Sequence, residues 1–173
     1  TDVIAAHAAG FNKYPPNEGT PGLRAAFCEW AGRRYGVDLD PDQHVMPLNG
    51  TREGLYNAVM ALCAETKNGQ QPTILMPNPF YQVYMVASLS AGAEPVFGNA
   101  TEATGHLPDY AAVPEDQLKR AVAVYICSPA NPQGAVASAE YWSDLIDLAE
   151  RYDFRIFADE CYSEIYKDTP PPG

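Results

Sequence analysis

Basic residues are scarce in this chain: 11 lysines and arginines face 22 acids, for a net charge of −11. Such a balance repels polyanions, so neither nucleic acid nor an anionic membrane surface is an expected partner. No apolar run approaches the roughly 18 residues that a membrane helix requires. A cationic, then apolar leader is also missing, which makes the cytoplasm the expected compartment. The four cysteines (Cys28, Cys63, Cys127, Cys161) and three histidines (His7, His44, His106) show neither metal-ligand nor redox-pair spacing. Reduced, mostly buried thiols are therefore expected, with no metal site and no catalytic histidine. The glycine patterns G-x-G-x-x-G and G-x-x-x-x-G-K-S/T do not occur, so a dinucleotide or a nucleoside triphosphate is not favoured.

What is present is enough apolar material, 46% of 173 residues, for one substantial core. Apolar periodicity predicts helices over 2–9, 20–35, 51–65, 80–90, 115–120 and 138–152, and strands over 44–48, 73–76, 94–97, 121–127 and 154–158. Thr20-Pro21 is a helix start, with threonine as N-cap and proline at the first helical position. The next helix faces are expected to bury Leu23, Ala26, Phe27, Trp30 and Ala31, then Leu55, Val59, Leu62 and Cys63. The last helix should turn Trp142, Leu145, Ile146 and Ala149 inward. A short strand is possible where the loop 99–114 crosses His106-Leu107. Alternation of apolar strands with amphipathic helices predicts an α/β fold, a mostly parallel sheet in a three-layer αβα arrangement.

Polar chemistry gathers where the predicted strands end. Asp159 follows the apolar run Phe154–Ala158, at the lip where open α/β sheets bind ligands. It could equally be an N-cap opening a short helix supported by Glu160. Gly50-Thr51-Arg52 opens a helix, with free amides and a positive dipole end suited to phosphate, or simply capped by Asn49 or Thr51. Pro79-Phe80-Tyr81 offers a flat ring for a planar heterocycle, or two core aromatics. Ser128-Pro129-Ala130-Asn131-Pro132-Gln133-Gly134 is a proline-braced turn that projects the Asn131 amide, or a plain reverse turn.

Together these motifs resemble the large domain of fold-type I, pyridoxal-phosphate-dependent aminotransferases of class I/II. The resemblance runs from Tyr14 and Gly19-Thr20-Pro21-Gly22-Leu23-Arg24, through Asn49-Gly50-Thr51-Arg52, Pro77-Asn78-Pro79-Phe80-Tyr81 and the 128–134 turn, to Asp159-Glu160-Cys161-Tyr162. Asn12–Pro15, Pro77–Tyr84 and Asp159–Tyr166 are most similar to bacterial N-succinyldiaminopimelate aminotransferases. The resemblance implies pyridoxal 5'-phosphate as cofactor, and a homodimer acting on an amino acid (glutamate as donor) and a keto acid, N-succinyl-2-amino-6-ketopimelate in lysine and diaminopimelate biosynthesis. It implies that Asp159 faces the pyridine nitrogen, Asn131 and Tyr162 its phenolic oxygen, and Tyr81 its ring face. Backbone amides of Gly50, Thr51 and Arg52 would hold the phosphate, and Tyr14 the phosphate of the neighbouring subunit.

By the same resemblance, residues 1–36 are an N-terminal helical segment with a dimer-contacting loop, and 37–173 a partial cofactor-binding domain. The small domain, the rest of the large domain and the Schiff-base lysine would lie beyond Gly173. Lys13, Lys67, Lys119 and Lys167 match none of the expected lysine contexts, so the 173-residue chain alone is expected to be inactive. Gln133 departs from the small hydroxyl residue usual in its turn, and Gly22 from a common acid. Other substrate specificities (aspartate, aromatic, kynurenine) and a non-catalytic cofactor-binding regulator are the alternatives.

Overall fold

The computed structural model describes residues 1–173. The chain forms two compact units, Thr1–Asn49 and Gly50–Gly173, a division thirteen residues beyond the expected boundary at 36/37.

The first unit holds α1 (Asp2–Ala6), a 3-10 segment (Ala8–Asn12) and α2 (Pro21–Tyr35). Thr20 caps α2 by accepting from the Leu23 amide at 3.4 Å, and Gly36 closes it in the left-handed region at φ 71°. Of the expected inward face, Ala31 is buried and Trp30 partly so, but a charged residue goes inside beside them. Leu23 and Phe27 stay 56% and 45% exposed, whereas Arg24 is buried. Its guanidinium donates to the carbonyls of Glu18, Gly19 and Pro41 and to Asp42 Oδ1 at 2.6 Å. A buried charge is tolerable because each guanidinium nitrogen has an acceptor, one of them a carboxylate. The strand expected over 44–48 is absent. His44 instead closes a turn on Asp40: its amide reaches the Asp40 carbonyl, and its Nδ1 accepts from the Asp40 amide, both at 2.9 Å.

The second unit contains α3 (Thr51–Leu62), β1 (Thr73–Asn78), α4 (Gln82–Ser90), β2 (Glu94–Asn99), α5 (Glu115–Leu118), β3 (Ala121–Cys127), α6 (Ala139–Tyr152) and β4 (Arg155–Asp159). All four strands are parallel, in the order β2-β1-β3-β4. Side chains alternate across the sheet. Ile74, Met76, Ala123 and Tyr125 pack with Val59 of α3 and Tyr84 and Ala87 of α4. Leu75, Val96, Val124 and Ile126 pack with Leu145, Leu148 and Ala149 of α6. Each fully buried aliphatic contributes about 1.5–3 kcal/mol. Helices thus cover both faces, the expected three-layer αβα arrangement.

Some helix faces and one loop differ from expectation. Ile146 and Leu62 are exposed, and Leu148 takes the inward place because 145, 148 and 149 share one helical face. Residues 106–107 form no strand: a 3-10 turn at Glu102–Thr104 and one bridge, Ala100 to Pro108, organise that loop. No helix is long and apolar enough to cross a membrane.

Lys67 ties the unit together at the N-terminal ends of β3 and β4, the opposite end of these strands from Asp159. Its Nζ donates to the carbonyls of Ala121 (2.6 Å), Tyr152 (2.8 Å) and Asp153 (2.6 Å), capping the C-terminus of α6 and the start of β3.

Candidate functional site

The chain passes from β1 outward to β2, then back across β1 to β3, so the sheet reverses direction between β1 and β3. Parallel sheets open a crevice at the carboxyl ends of such strands. There a cavity of about 480 Å³ is lined by Thr51, Pro77, Tyr81, Tyr84, Asn131 and Asp159, with Cys127, Cys161 and Tyr162 beside them. A cavity of similar size beside α6 gathers none of the sequence-predicted residues.

Asp159 is the last residue of β4, in register with Cys127 of β3, and the ladder continues through the Ser128 amide to the Asp159 carbonyl. Residues 161–164 form a turn, so Asp159 caps no helix. Its Oδ2 accepts from the Tyr84 hydroxyl at 2.6 Å. No lysine, arginine or histidine pairs with this half-buried carboxylate. Tyr84 is 1% exposed, stacked on Tyr125 with centroids 4.2 Å apart and 13° between planes. Burial, then the Asp159 hydrogen bond, drives the Tyr84 hydroxyl far above the phenol range, so it remains a proton donor.

The 128–134 turn is held by backbone and one hydroxyl. The Ala130 amide donates to the Ala135 carbonyl and the Gly134 amide to the Ala130 carbonyl, both at 2.7 Å, and buried Ser128 Oγ accepts from the Ala137 amide at 3.1 Å. These bonds form with Gln133 in place. The turn presents Asn131, whose Nδ2 donates to the Tyr162 hydroxyl at 3.2 Å. The charge of a Cys161 thiolate, then burial, raises the Tyr162 phenol.

The start of α3 differs from those of α2 and α6, which Thr20 and Ser138 cap. Its N-cap is Gly50 at φ 136°, ψ 144°, and no side chain caps it. The amides of its first turn thus have no side-chain cap, and a Cβ at Gly50 would meet nothing within 4 Å. Tyr81 stands edge-on to Tyr84 with centroids 5.8 Å apart, while Phe80 packs on Phe97. Arg52 reaches the same ring from outside, its Nε donating to the Tyr81 hydroxyl at 2.6 Å.

The crevice therefore joins Asp159, Tyr162, Asn131, Tyr81 and Thr51, with Gly50 at the helix start and the Arg52 side chain in an adjoining cavity. Tyr14 belongs to the first unit and is fully exposed. Sequence reasoning missed Tyr84 and the paired thiols. Tyr84 lies three residues after Tyr81 on one helical face, a signal that reads equally as core. Cys127 and Cys161 flank the acid: burial first, then the Asp159 charge, pushes Cys127 up to about 12, and burial raises Cys161 as well. None of the four lysines lines this cavity, although Lys167 lines a neighbouring one that shares Asn131 and Tyr162.

The family model described as aminotransferase class I and II matches residues 2–172. An LL-diaminopimelate aminotransferase of Moorella thermoacetica is 39% identical over 166 residues, covering 96% of this chain and 41% of the relative. One from Dehalococcoides mccartyi is 36% identical over 168 residues, covering 97% and 42%. An aminotransferase structure from Neisseria meningitidis superposes with a TM-score of 0.92 at 40% identity, covering 99% of this chain and 44% of that one. The chain thus spans about two fifths of the length of the curated relatives it matches.

Proposed function

The chain belongs to the class I and II aminotransferase family, and from that premise we propose that it is the cofactor-binding part of a transaminase acting on diaminopimelate. The family is pyridoxal-phosphate-dependent. The residues present fit that group: a half-buried acid without a cationic partner, a helix start with no side-chain cap, and a tyrosine ring lining the same cavity. Asp159 would hold the ring nitrogen, and Asn131 and Tyr162 the phenolic oxygen. Tyr81 would cover the ring face, and the Gly50, Thr51 and Arg52 amides would hold the phosphate. When bound, pyridoxal phosphate supplies an electron sink for the charge that develops at the substrate α-carbon.

The chain's own contribution is to keep proton positions fixed. Tyr84 donates to Asp159, so the carboxylate stays an acceptor aimed at a cation rather than rotating freely. The Asn131 amide orients the Tyr162 hydroxyl. The aromatic slab of Tyr84, Tyr125 and Phe157 gives the acid an apolar floor, which strengthens its pairing with a cation.

The relatives' names carry free LL-diaminopimelate, where the sequence reading expected the N-succinyl derivative. We take the free diamino acid as the substrate, with glutamate and its keto acid as the second pair. A homodimer in which Tyr14 reaches the partner's phosphate completes the reading. The single observation that carries it is the Asp159 carboxylate in the crevice without a cationic partner. Cofactor absorbance and diaminopimelate-dependent glutamate formation by the full-length protein test it. Asp159→Ala should reduce cofactor affinity by at least tenfold, since removing one partner of a buried pair costs about 3–5 kcal/mol. Cofactor binding unchanged in Asp159→Ala, or wild-type protein without transamination, would overturn it.

A further inference from the structure

Adjoining the Asp159 crevice lies a second cavity, about 500 Å³, which shares Tyr81 and Gln82 with it. Two neighbouring charges line it, Arg52 and Glu53, together with the neutral side chains of Tyr56 and Asn57. Arg52 is anchored by one atom only: Nε donates to the Tyr81 hydroxyl, and the guanidinium carbon sits 5.6 Å from the ring centroid. Its two terminal nitrogens are unspent. In a chain with twice as many acids as bases, Arg24, Arg33, Arg120 and Arg155 each pair with a carboxylate, whereas Arg52, like Arg151, does not. Glu53 likewise makes no ion pair, although it is the next residue.

A guanidinium fork held by Nε, with both terminal nitrogens free, matches a carboxylate in two-point geometry. The adjoining Glu53 matches an ammonium. The crevice itself offers a substrate no cation, since Asp159 is its sole charged lining residue. The contact order Asp159, Tyr84, Tyr81, Arg52 sets the guanidinium at the opposite end of this row from the acid.

We propose that Arg52 and Glu53 read the far end of the substrate and select amino acids whose side chain ends in a second, free amino-acid group. Arg52 takes the distal carboxylate and Glu53 the distal ammonium. An acylated distal amine loses the charge that Glu53 recognises, so the pair discriminates the free diamino acid from its N-succinyl derivative. This inference rests on the proposed function and deepens it.

The test uses the full-length protein with LL-diaminopimelate, its N-succinyl derivative, 2-aminopimelate (distal carboxylate alone) and norleucine (no distal charge). Arg52→Gln should lower the kcat/KM ratio of 2-aminopimelate to norleucine by roughly 10- to 100-fold, the worth of a charge-assisted pair, with Arg52→Lys recovering part of it. Glu53→Gln should lower the ratio of diaminopimelate to its N-succinyl derivative and leave that of 2-aminopimelate to norleucine unmoved. Calorimetric titration of 2-aminopimelate should show the same loss of affinity in Arg52→Gln. Equal effects on charged and uncharged substrates would overturn the inference while leaving the proposed function standing. So would Arg52→Gln losing its bound cofactor, because the guanidinium would then serve the phosphate. Wild-type protein that transaminates none of the four overturns both.

Discussion

The Tyr84 hydroxyl donates a 2.6 Å hydrogen bond to Oδ2 of Asp159, joining the buried face of α4 to the last residue of β4. The two residues are 75 positions apart, and the bond exists because β1 and β4 flank β3, with α4 laid across that face. Stacking on Tyr125 fixes the phenol ring, so the hydroxyl has one direction in which to donate.

Tyr84→Phe keeps the stacked ring and removes only this donor. The fold should lose about 1.5–3 kcal/mol, the worth of a hydrogen bond to a charged group. Denaturant unfolding of wild type and variant measures the loss. Cofactor affinity should fall as well, because the acid is then free to rotate. A variant with wild-type stability and affinity would show the bond to be incidental.

The thiols beside Asp159 give a pH dependence with a definite sign. Cys127 is pushed from 9.0 up to about 12 by burial and by the Asp159 charge. The folded state therefore keeps a proton that the unfolded chain gives up. Stability from this group is fully present below about pH 9 and declines as pH rises from there towards 12. Cys127→Ala should flatten that alkaline decline in thermal unfolding, and wild-type Cys127 should alkylate slowly at pH 8. Rapid alkylation at Cys127 itself, located by peptide mapping of folded protein labelled at neutral pH, would contradict this.

Lys67→Met removes the cation shared by three carbonyls, two at the end of α6 and one at the start of β3. A loss of about 2–3 kcal/mol is expected from charged hydrogen bonds of this kind. Lys67 is at the opposite end of the strands from Asp159, so the cofactor absorbance of refolded protein should be unaltered. Loss of cofactor at full folding would instead tie Lys67 to the site.

Gly50→Val tests the helix start. Space is not the obstacle, since a Cβ there meets nothing within 4 Å, but φ 136° is a conformation that side-chain-bearing residues avoid at a cost of about 1–3 kcal/mol. The first-turn amides should shift and cofactor affinity should drop more than stability does. Equal affinity in the variant would remove α3 from the phosphate role.

Much of the second unit was legible in order. Ala121–Cys127 is a strand at its expected bounds, because an unbroken apolar run of that length between polar segments has few other uses. The helix from Pro21 to Tyr35 also has its expected bounds, set by Thr20 and Gly36, which act through their own backbone and side chain. Burial was less legible in the first unit. The apolar stripe of Leu23 and Phe27 stays exposed and Arg24 goes inside, because carbonyls of residues 18, 19 and 41 converge on its guanidinium. Periodicity carries no information about such a convergence.

By itself, the order of residues determined the alternation of strand and helix, the parallel sheet, and which polar residues follow each strand, since all of these depend on local period and on cap chemistry. Tertiary structure alone decided that Tyr84 rather than a cation meets Asp159, that two thiols flank it, and that Arg52 stands unpaired behind Tyr81. Those are distances between segments dozens of residues apart, and they are set by strand order and helix packing, to which no short stretch of chain has access.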